Sequence, residues 1–436
     1  MAGGARWSSL GIAVLGAVLG GVVGGFVVVG VTLVLKVGMD LASRENTLYV
    51  VVVPLFGLTV ATVVLNWLGR SGGEDARRAH PWRTFSPDAI RADISGDVIE
   101  SEGVEERFPW RLAPIRALAI IATVGSGGAM GTEAPAAYLG VAAGACLGDR
   151  GRWWRRLLRP AALAGGAAGV SALMAAPLVG TVFMLELGLR KRAPVNIERS
   201  TAALVGGFIG WAITAYFHLQ FIRLIVPQEP PRSFTQAAVT ALLIGGLAGG
   251  ISSLAGMAVN RAKKWAASPA VRLAIGGTAI VGTVLILARL TTPTAAVGPG
   301  GGAILWAENA NALPSTLLCV CFLRAAATTA AVAAGGCGGV FVPFLAVGDI
   351  AGRVFAPGLE VGSDLAGAAG AAGGIAGGYR LPLTALVMVL SVGGPHLATL
   401  TCLATVAVAF YAGLGVEVVL SRLKGLLSAR RQAPVH

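Results

Sequence analysis

The sequence has little charge and few histidines for a chain of its length. Only 13% of its 436 residues are charged and four are histidine, whereas soluble domains carry about 25% charged residues. An intramembrane metalloprotease would need clustered ligands, such as an H-E-x-x-H helix, but His80, His218, His396 and His436 are scattered. A buried serine nucleophile would also lack a histidine partner. The sequence therefore predicts no enzyme, no metal site and no cofactor.

Acidic residues are also few. The 34 basic residues outnumber the 21 acidic ones, which gives a net charge of +13. The basic residues cluster between apolar runs, at 150–159, 190–192, 261–264 and 422–431. Such clusters are typical of cytoplasmic loops that contact anionic lipid headgroups. None of these clusters forms a basic surface interleaved with aromatic residues, so the sequence does not indicate nucleic-acid binding. The five cysteines lie in apolar sequence without metal-ligand spacing, which predicts core residues rather than disulfides.

Long apolar runs dominate what is present, with 55% hydrophobic residues and a mean hydropathy of +0.75. The first run, 7–35, has no usefully titrating side chain and exceeds the roughly 20 residues that cross a bilayer. Further runs follow at 48–68, 112–148, 160–189, 200–215, 235–259, 273–288, 313–348 and 381–420. We therefore predict an all-α, multi-pass protein of the cell membrane.

An internal repeat relates two glycine-rich segments at a constant offset of 208 residues, which is the spacing of Gly131 and Gly339. Six positions coincide without gaps: Gly127/Gly335, Gly128/Gly336, Gly131/Gly339, Pro135/Pro343, Gly140/Gly348 and Gly144/Gly352. A second pair of similar segments, 176–188 and 381–393, follows in the same order. Duplicated halves with Gly/Pro-interrupted segments at matching places are typical of transporters whose site lies between inverted repeats.

The repeat divides the chain into five predicted parts. They are N-terminal membrane helices (1–70), a polar interfacial segment (71–111), the remainder of the first repeat (112–225), the second repeat (233–420) and a short basic tail (421–436). Each repeated block has glycines, then a proline in the first turn of an apolar helix. The unpaired amides of such a helix start favour an anion. The alternative is that the glycines only allow tight helix packing.

Glu133 is the one acid or base between Arg116 and Asp149. A carboxylate inside an apolar membrane run is costly, which by default indicates a functional site. Beside a site built for anions, the carboxylate can occupy that site as a tethered competitor and leave when it is protonated or displaced. The alternative is a structural helix cap at a protein-lined interface.

Four segments carry a resemblance to a known family. The segments are 110–140, which contains GTEAP, 322–348, which contains GVFVP, and the proline-led blocks 176–187 and 382–390. They resemble the G-[K/R]-E-G-P and G-x-F-x-P regions of the CLC chloride channels and transporters, in the order found there. The resemblance implies a homodimer with one anion pore per subunit. Each subunit would consist of two inverted halves with many tilted, partly broken helices.

The resemblance also implies roles for individual residues. Glu133 would be the gating glutamate, and the amides of Val340 and Phe341 would bind the central anion beside Gly131 and Gly339. Arg116 falls where the family has a lysine that makes the site electropositive; from the sequence alone it is equally an interfacial snorkelling residue.

Three departures from the family pattern affect selectivity and gating more than fold. The first motif, G-S-G-I-P, is absent, and Ser95 is the nearest match to its anion-binding serine. Thr132 and Ala134 flank the glutamate in place of a basic residue and a glycine. The tyrosine ligand expected within 415–421 is missing, and Tyr411 is not assigned to that role.

Proton coupling is the fourth departure. The resemblance implies a second glutamate that carries protons in the exchangers of this family, ten residues after the proline of the A-P-L block. That proline is Pro177 here, so the position is Leu187, which cannot carry a proton. Glu186 is the relay candidate, although one residue turns a helix by about 100°, and the alternative is an ion pair with Arg190. We predict chloride transport with weak or no proton coupling; the alternatives are a proton-coupled exchanger and a fluoride-selective member.

Overall fold

The computed structural model describes residues 2–43, 47–69, 108, 110–148, 158–190 and 195–432. Over these ranges the backbone forms α-helices and one isolated β-bridge, with no named strand. In chain order the helices are α1 (Ala2–Ala42), α2 (Thr47–Gly69), α3 (Ala113–Ile120), α4 (Glu133–Gly148), α5 (Leu158–Met174), α6 (Pro177–Arg190), α7 (Ile197–Tyr216), α8 (Phe234–Lys263), α9 (Pro269–Leu290), α10 (Pro293–Ala296), α11 (Gly301–Asn309), α12 (Pro314–Ala333), α13 (Phe341–Arg353), α14 (Ala356–Leu359), α15 (Ser363–Gly374), α16 (Pro382–Val392) and α17 (His396–Gln432). Short π-helical turns, Ile121–Gly125 and Ile375–Tyr379, continue α3 and α15.

Six of these helices are long and apolar enough to cross a membrane: Leu10–Ala42, Leu48–Asn66, Phe234–Lys263, Pro269–Leu290, Pro314–Ala333 and His396–Leu423. Other helices are shorter and begin inside the protein. Helices α4 and α13 have 16 and 13 residues and begin at fully buried side chains. The predicted all-α, multi-pass architecture with partly broken helices is therefore confirmed.

Local sequence explains where several helices begin. The side chains of Asn196, Ser233 and Ser268 accept hydrogen bonds from amides in the first turns of α7, α8 and α9. Such caps satisfy donors that have no partner within the helix. Proline occupies the first turn of α9, α10, α12 and α16, where its missing N–H costs nothing.

Helix α4 packs on α5 in the same way as α13 packs on α15. A Cβ atom added at Gly140 would lie 2.1 Å from the carbonyl oxygen of Gly165, and one at Gly348 would lie 2.2 Å from that of Gly370. Gly144 and Gly352 make equally close approaches to their own partner helices. These four glycines are two of the repeated pairs, so close packing accounts for part of the repeat, as the alternative interpretation held.

The loops that precede α4 and α13 also have a common backbone conformation. Gly127 and Gly335, another repeated pair, have φ angles of +85° and +91°. A left-handed backbone at both positions favours glycine, which explains why the residue recurs. The matching conformation brings the start of each helix to an equivalent place in its own half of the chain.

Two of the five predicted parts of the chain, the polar interfacial segment and the basic tail, lie at the ends of described ranges. Most of the predicted interfacial segment, 71–111, lies outside the described residues. The predicted basic tail begins within the final helix, because α17 continues to Gln432.

Candidate functional site

The site lies where the first turns of α4 and α13 meet. Helix α4 begins at Glu133 and α13 at Phe341, which are equivalent positions of the repeat. The loops before them pair through an antiparallel bridge between Gly131 and Gly339. Gly131 N donates to Gly339 O at 2.7 Å, and Gly339 N donates to Gly131 O at 2.8 Å. Reciprocal bonds between equivalent residues are what a local twofold axis between inverted halves produces.

The carboxylate of Glu133 reaches across this bridge to the opposite half. Its Oε1 atom accepts a hydrogen bond from Phe341 N at 2.6 Å. The side chain is 0% exposed, and no described residue donates a hydrogen bond to Oε2. The first-turn amide of α13 is a donor that has no partner within the helix and favours negative charge. A carboxylate from one repeat therefore occupies the anion-binding end of a helix in the other repeat.

The two bridging glycines leave the space that this carboxylate fills. A Cβ atom at Gly339 would lie 2.2 Å from Glu133 Oε1, and one at Gly131 would lie 2.3 Å from Oε2. Neither distance is compatible with the observed position of the side chain. These glycines therefore serve the site itself, unlike the four glycines that pack helices together.

The other predicted site residues have different positions. Val340 is the N-cap residue of α13, with φ −126° and ψ 4°, and its side chain is 6% exposed. Arg116 is 1% exposed, and its guanidinium carbon lies 4.9 Å from the centroid of the Tyr138 ring. This burial does not favour the snorkelling alternative for Arg116, which would place the guanidinium at a surface. Ser95 lies outside the described residues.

Two residues that the sequence analysis did not identify hold the loops of the site. Thr123 Oγ1 accepts a hydrogen bond from Cys337 N at 3.0 Å, which ties the loop before α13 to the π-helical turn after α3. Arg324, 1% exposed, donates to the carbonyl oxygens of Ala296 and Gly298. Gly298 N in turn donates to Gly127 O at 2.7 Å. Arg324 is the one charged residue of the apolar run 313–348. As with Glu133, a charged residue inside an apolar membrane run by default indicates a functional site, so this signal in the sequence could have identified Arg324.

Glu186 does not have the partner that the sequence suggested. Its carboxylate accepts hydrogen bonds from Leu383 N (2.9 Å), Thr384 N (2.8 Å) and Thr384 Oγ1 (2.6 Å), in the first turn of α16. The guanidinium of Arg190 donates instead to the carbonyl oxygens of Tyr379 and Arg380. The predicted ion pair is thus replaced by a cap that joins α6 to α16, the two proline-led helices of the second repeated pair.

Removing this cap is expected to destabilise the protein. Glu186→Ala leaves the amides of Leu383 and Thr384 without this acceptor, and an unsatisfied buried group such as the Thr384 amide costs about 1–3 kcal/mol. Glu186→Gln keeps one carbonyl acceptor and should be milder. Glu417→Ala is the control, because that carboxylate is 45% exposed in an ion pair with Arg380 and such pairs contribute about 0–1 kcal/mol. Thermal unfolding of the detergent-purified variants measures the difference; equal losses for Glu186→Ala and Glu417→Ala would contradict it.

Comparison with known proteins relates this arrangement to anion transporters. A family model described as "Voltage gated chloride channel" matches residues 79–413, well over half of the chain. The H(+)/Cl(-) exchange transporter ClcA of Cronobacter sakazakii is 29% identical over 383 residues, covering 80% of this chain and 78% of the relative. ClcA of Klebsiella pneumoniae is 28% identical over 359 residues, covering 76% of this chain and 73% of the relative.

Solved structures with the same fold include two antiporters. A slow cyanobacterial Cl-/H+ antiporter superposes with a TM-score of 0.68 and 20% identity, over 95% of this chain and 97% of its own. A CLC-type fluoride/proton antiporter superposes with a TM-score of 0.67 and 19% identity, over 93% and 95%. At these identities the similarity establishes the fold alone.

Proposed function

This chain belongs to the voltage-gated chloride channel family, and we propose that it carries chloride or a similar small anion through a pore gated by Glu133. The observation that carries the proposal is the hydrogen bond from Phe341 N to Glu133 Oε1. That carboxylate stands where a dehydrated anion would be bound by the first turn of α13. The family comprises transporters and channels, and we propose no enzymatic activity for this chain.

In the proposed mechanism, an anion and the Glu133 carboxylate compete for the same amides. While the carboxylate occupies the first turn of α13, the anion has no donors there. Protonation neutralises the side chain, and a neutral acid competes poorly for donors that favour negative charge. The carboxyl group then swings away, and the anion binds the amides of Val340 and Phe341. Gly131 and Gly339 supply the free space in which this exchange takes place.

Within this function we propose weak or absent proton coupling. Leu187 stands at the position where exchangers of the family have the second glutamate. A leucine side chain cannot carry a proton. The neighbouring carboxylate, Glu186, is only 7% exposed and accepts three hydrogen bonds in the first turn of α16. A proton on Oε2 would compete with both donors from Thr384. A relay through Glu186 would therefore have to break the cap in every transport cycle.

Proton-coupled exchange is the second candidate, and the relatives favour it. The curated relatives are named H(+)/Cl(-) exchange transporters, and two structures with the same fold are those of antiporters. One of these two is a fluoride/proton antiporter, so fluoride selectivity also requires a test. A homodimer with one pore per subunit remains a prediction for this chain.

Ion flux from proteoliposomes tests the proposal directly. The purified full-length chain is reconstituted, and efflux is measured separately with chloride, fluoride and nitrate while the internal pH is recorded. We expect efflux of chloride or another small anion, with no sustained uphill proton movement when a chloride gradient is imposed at equal pH. An absence of anion flux contradicts the function. Uphill proton movement that disappears in Glu186→Gln contradicts weak coupling and makes Glu186 the relay.

A further inference from the structure

The loops that precede α4 and α13 have matching backbone hydrogen bonds but differ in one side chain. In the first half, Gly128 N donates to Thr123 O at 2.9 Å. At the repeat offset of 208 residues, Gly336 N donates to Ala331 O, also at 2.9 Å. The backbone of the repeat is therefore the same at this place, whereas the accepting residue is threonine in one half and alanine in the other.

The hydroxyl of Thr123 makes a contact between the two halves. Its Oγ1 atom accepts a hydrogen bond from Cys337 N at 3.0 Å, and both side chains are 0% exposed. The bond that the local twofold axis would relate to this one joins positions 331 and 129, and both of these residues are alanine. A hydroxyl therefore supports the loop before α13, whereas position 331 has none to offer the loop before α4.

The loop between this hydrogen bond and α13 leaves little room for adjustment. Three residues separate Cys337 from Phe341, whose amide holds the Glu133 carboxylate. One of them, Gly338, is packed so closely that an added Cβ atom would lie 2.7 Å from Met130 Cβ. The next residue, at position 339, is paired in the bridge between the halves. A displacement of residue 337 is therefore passed on to the first turn of α13.

We propose that Thr123 is a positioning residue for the anion. Its hydroxyl fixes the loop before α13 so that the amides of Val340 and Phe341 point into the space shared by the anion and the Glu133 carboxylate. The inference rests on the proposed anion transport. It also gives the difference between the halves a reason: α13 supplies the amides and α4 supplies the carboxylate, so the α13 loop is the one whose position determines anion affinity.

Substitutions at Thr123 separate the hydroxyl from the shape of the side chain. Thr123→Val keeps the shape, Thr123→Ala has neither hydroxyl nor branch, and Thr123→Ser keeps the hydroxyl. Each is made in the Glu133→Ala background, in which the anion alone uses the amides, and chloride affinity is measured by calorimetry. Thr123→Val and Thr123→Ala are expected to bind chloride about tenfold more weakly, the factor that one lost hydrogen bond carries. Thr123→Ser should keep the affinity of its background.

Thr405→Val in the same background is the matched control. Thr405 is also 0% exposed, but its hydroxyl donates to the carbonyl oxygen of Thr401 in the same helix, at 2.8 Å. Thermal unfolding is measured for every variant. If Thr123 were merely structural, Thr123→Val would lower the unfolding temperature and leave chloride affinity unchanged, as we expect for Thr405→Val. A positioning role predicts that the affinity falls at Thr123 alone.

The results separate this inference from the function on which it rests. Unchanged chloride affinity in either Thr123→Val or Thr123→Ala overturns it, so one folded variant of the two is sufficient. An equal loss of affinity in Thr123→Ser also overturns it, because the hydroxyl is still present there. In each case chloride binding by Glu133→Ala and efflux by the wild type still support anion transport. Absence of both contradicts the proposed function together with this inference.

Discussion

Anion efflux is expected to lose its pH dependence when Glu133 is replaced by glutamine or alanine. Glutamine imitates the protonated acid and alanine removes the competitor, so in both variants the α13 amides are open to the anion at every pH. In the wild type, protonation must precede opening, and each pH unit changes the protonated fraction by up to tenfold. Wild-type efflux should therefore increase severalfold from pH 7.5 to about pH 4.5.

The measurement is the initial rate of chloride efflux from proteoliposomes, at several pH values over this range, for four proteins. They are the wild type, Glu133→Gln, Glu133→Ala and the control Glu198→Gln. Glu198 is also in the first turn of a helix, but it is exposed, and its loss should leave the wild-type profile in place. Two Glu133 variants with the wild-type profile would show that the gate lies elsewhere.

The second large effect is expected at Gly339. The added methyl group of Gly339→Ala would lie 2.2 Å from Glu133 Oε1, in the volume that an anion on the Phe341 amide must occupy. Overpacking of a filled interior costs about 1–3 kcal/mol, which corresponds to a loss of about ten- to hundredfold in chloride affinity. Val340→Ala should be mild by comparison, because the amide of residue 340, and not its side chain, faces the anion in the proposed site.

A double variant distinguishes a blocked site from a displaced gate. If the methyl group fills the anion's own place, Gly339→Ala reduces chloride affinity equally in the wild type and in the Glu133→Ala background. Recovery of affinity in the double variant would mean that the clash affects only the carboxylate and that the anion binds elsewhere. Gly246→Ala is the control, since no atom of a described residue lies within 4 Å of an added Cβ atom at that helical position.

The repeat made much of the fold and the centre of the site predictable from the sequence. A helix was predicted after each glycine-rich block, and α4 and α13 begin at equivalent positions of the repeat. The proline-led blocks also begin helices, at Pro177 and Pro382. These features are local: unpaired first-turn amides, a proline and a left-handed glycine are visible within a few residues.

Contacts between distant parts of the chain could not be predicted in this way. Glu186 was the relay candidate, with an ion pair to Arg190 four residues later as the alternative, but its carboxylate caps a helix that begins almost 200 residues further along the chain. The i,i+4 spacing is favourable, but its gain of a few tenths of a kcal/mol is smaller than the cost of leaving the buried Thr384 amide without an acceptor. The Tyr379 ring, whose centroid lies 5.7 Å from that of the Phe341 ring, likewise depends on a π-helical turn for its position. No sequence pattern predicts that turn.

The Gly131–Gly339 bridge has a consequence for which conformational changes the protein can make during the proposed anion transport. Both hydrogen bonds of the bridge join the two halves of the molecule at its buried centre. Alternating access by rigid-body rocking of one half against the other would separate these backbones in each cycle. Each group left unsatisfied would cost about 1–3 kcal/mol, and no bulk water at that depth is available to replace the lost bond. The bridge therefore favours a transport cycle in which the framework stays closed and only side chains move.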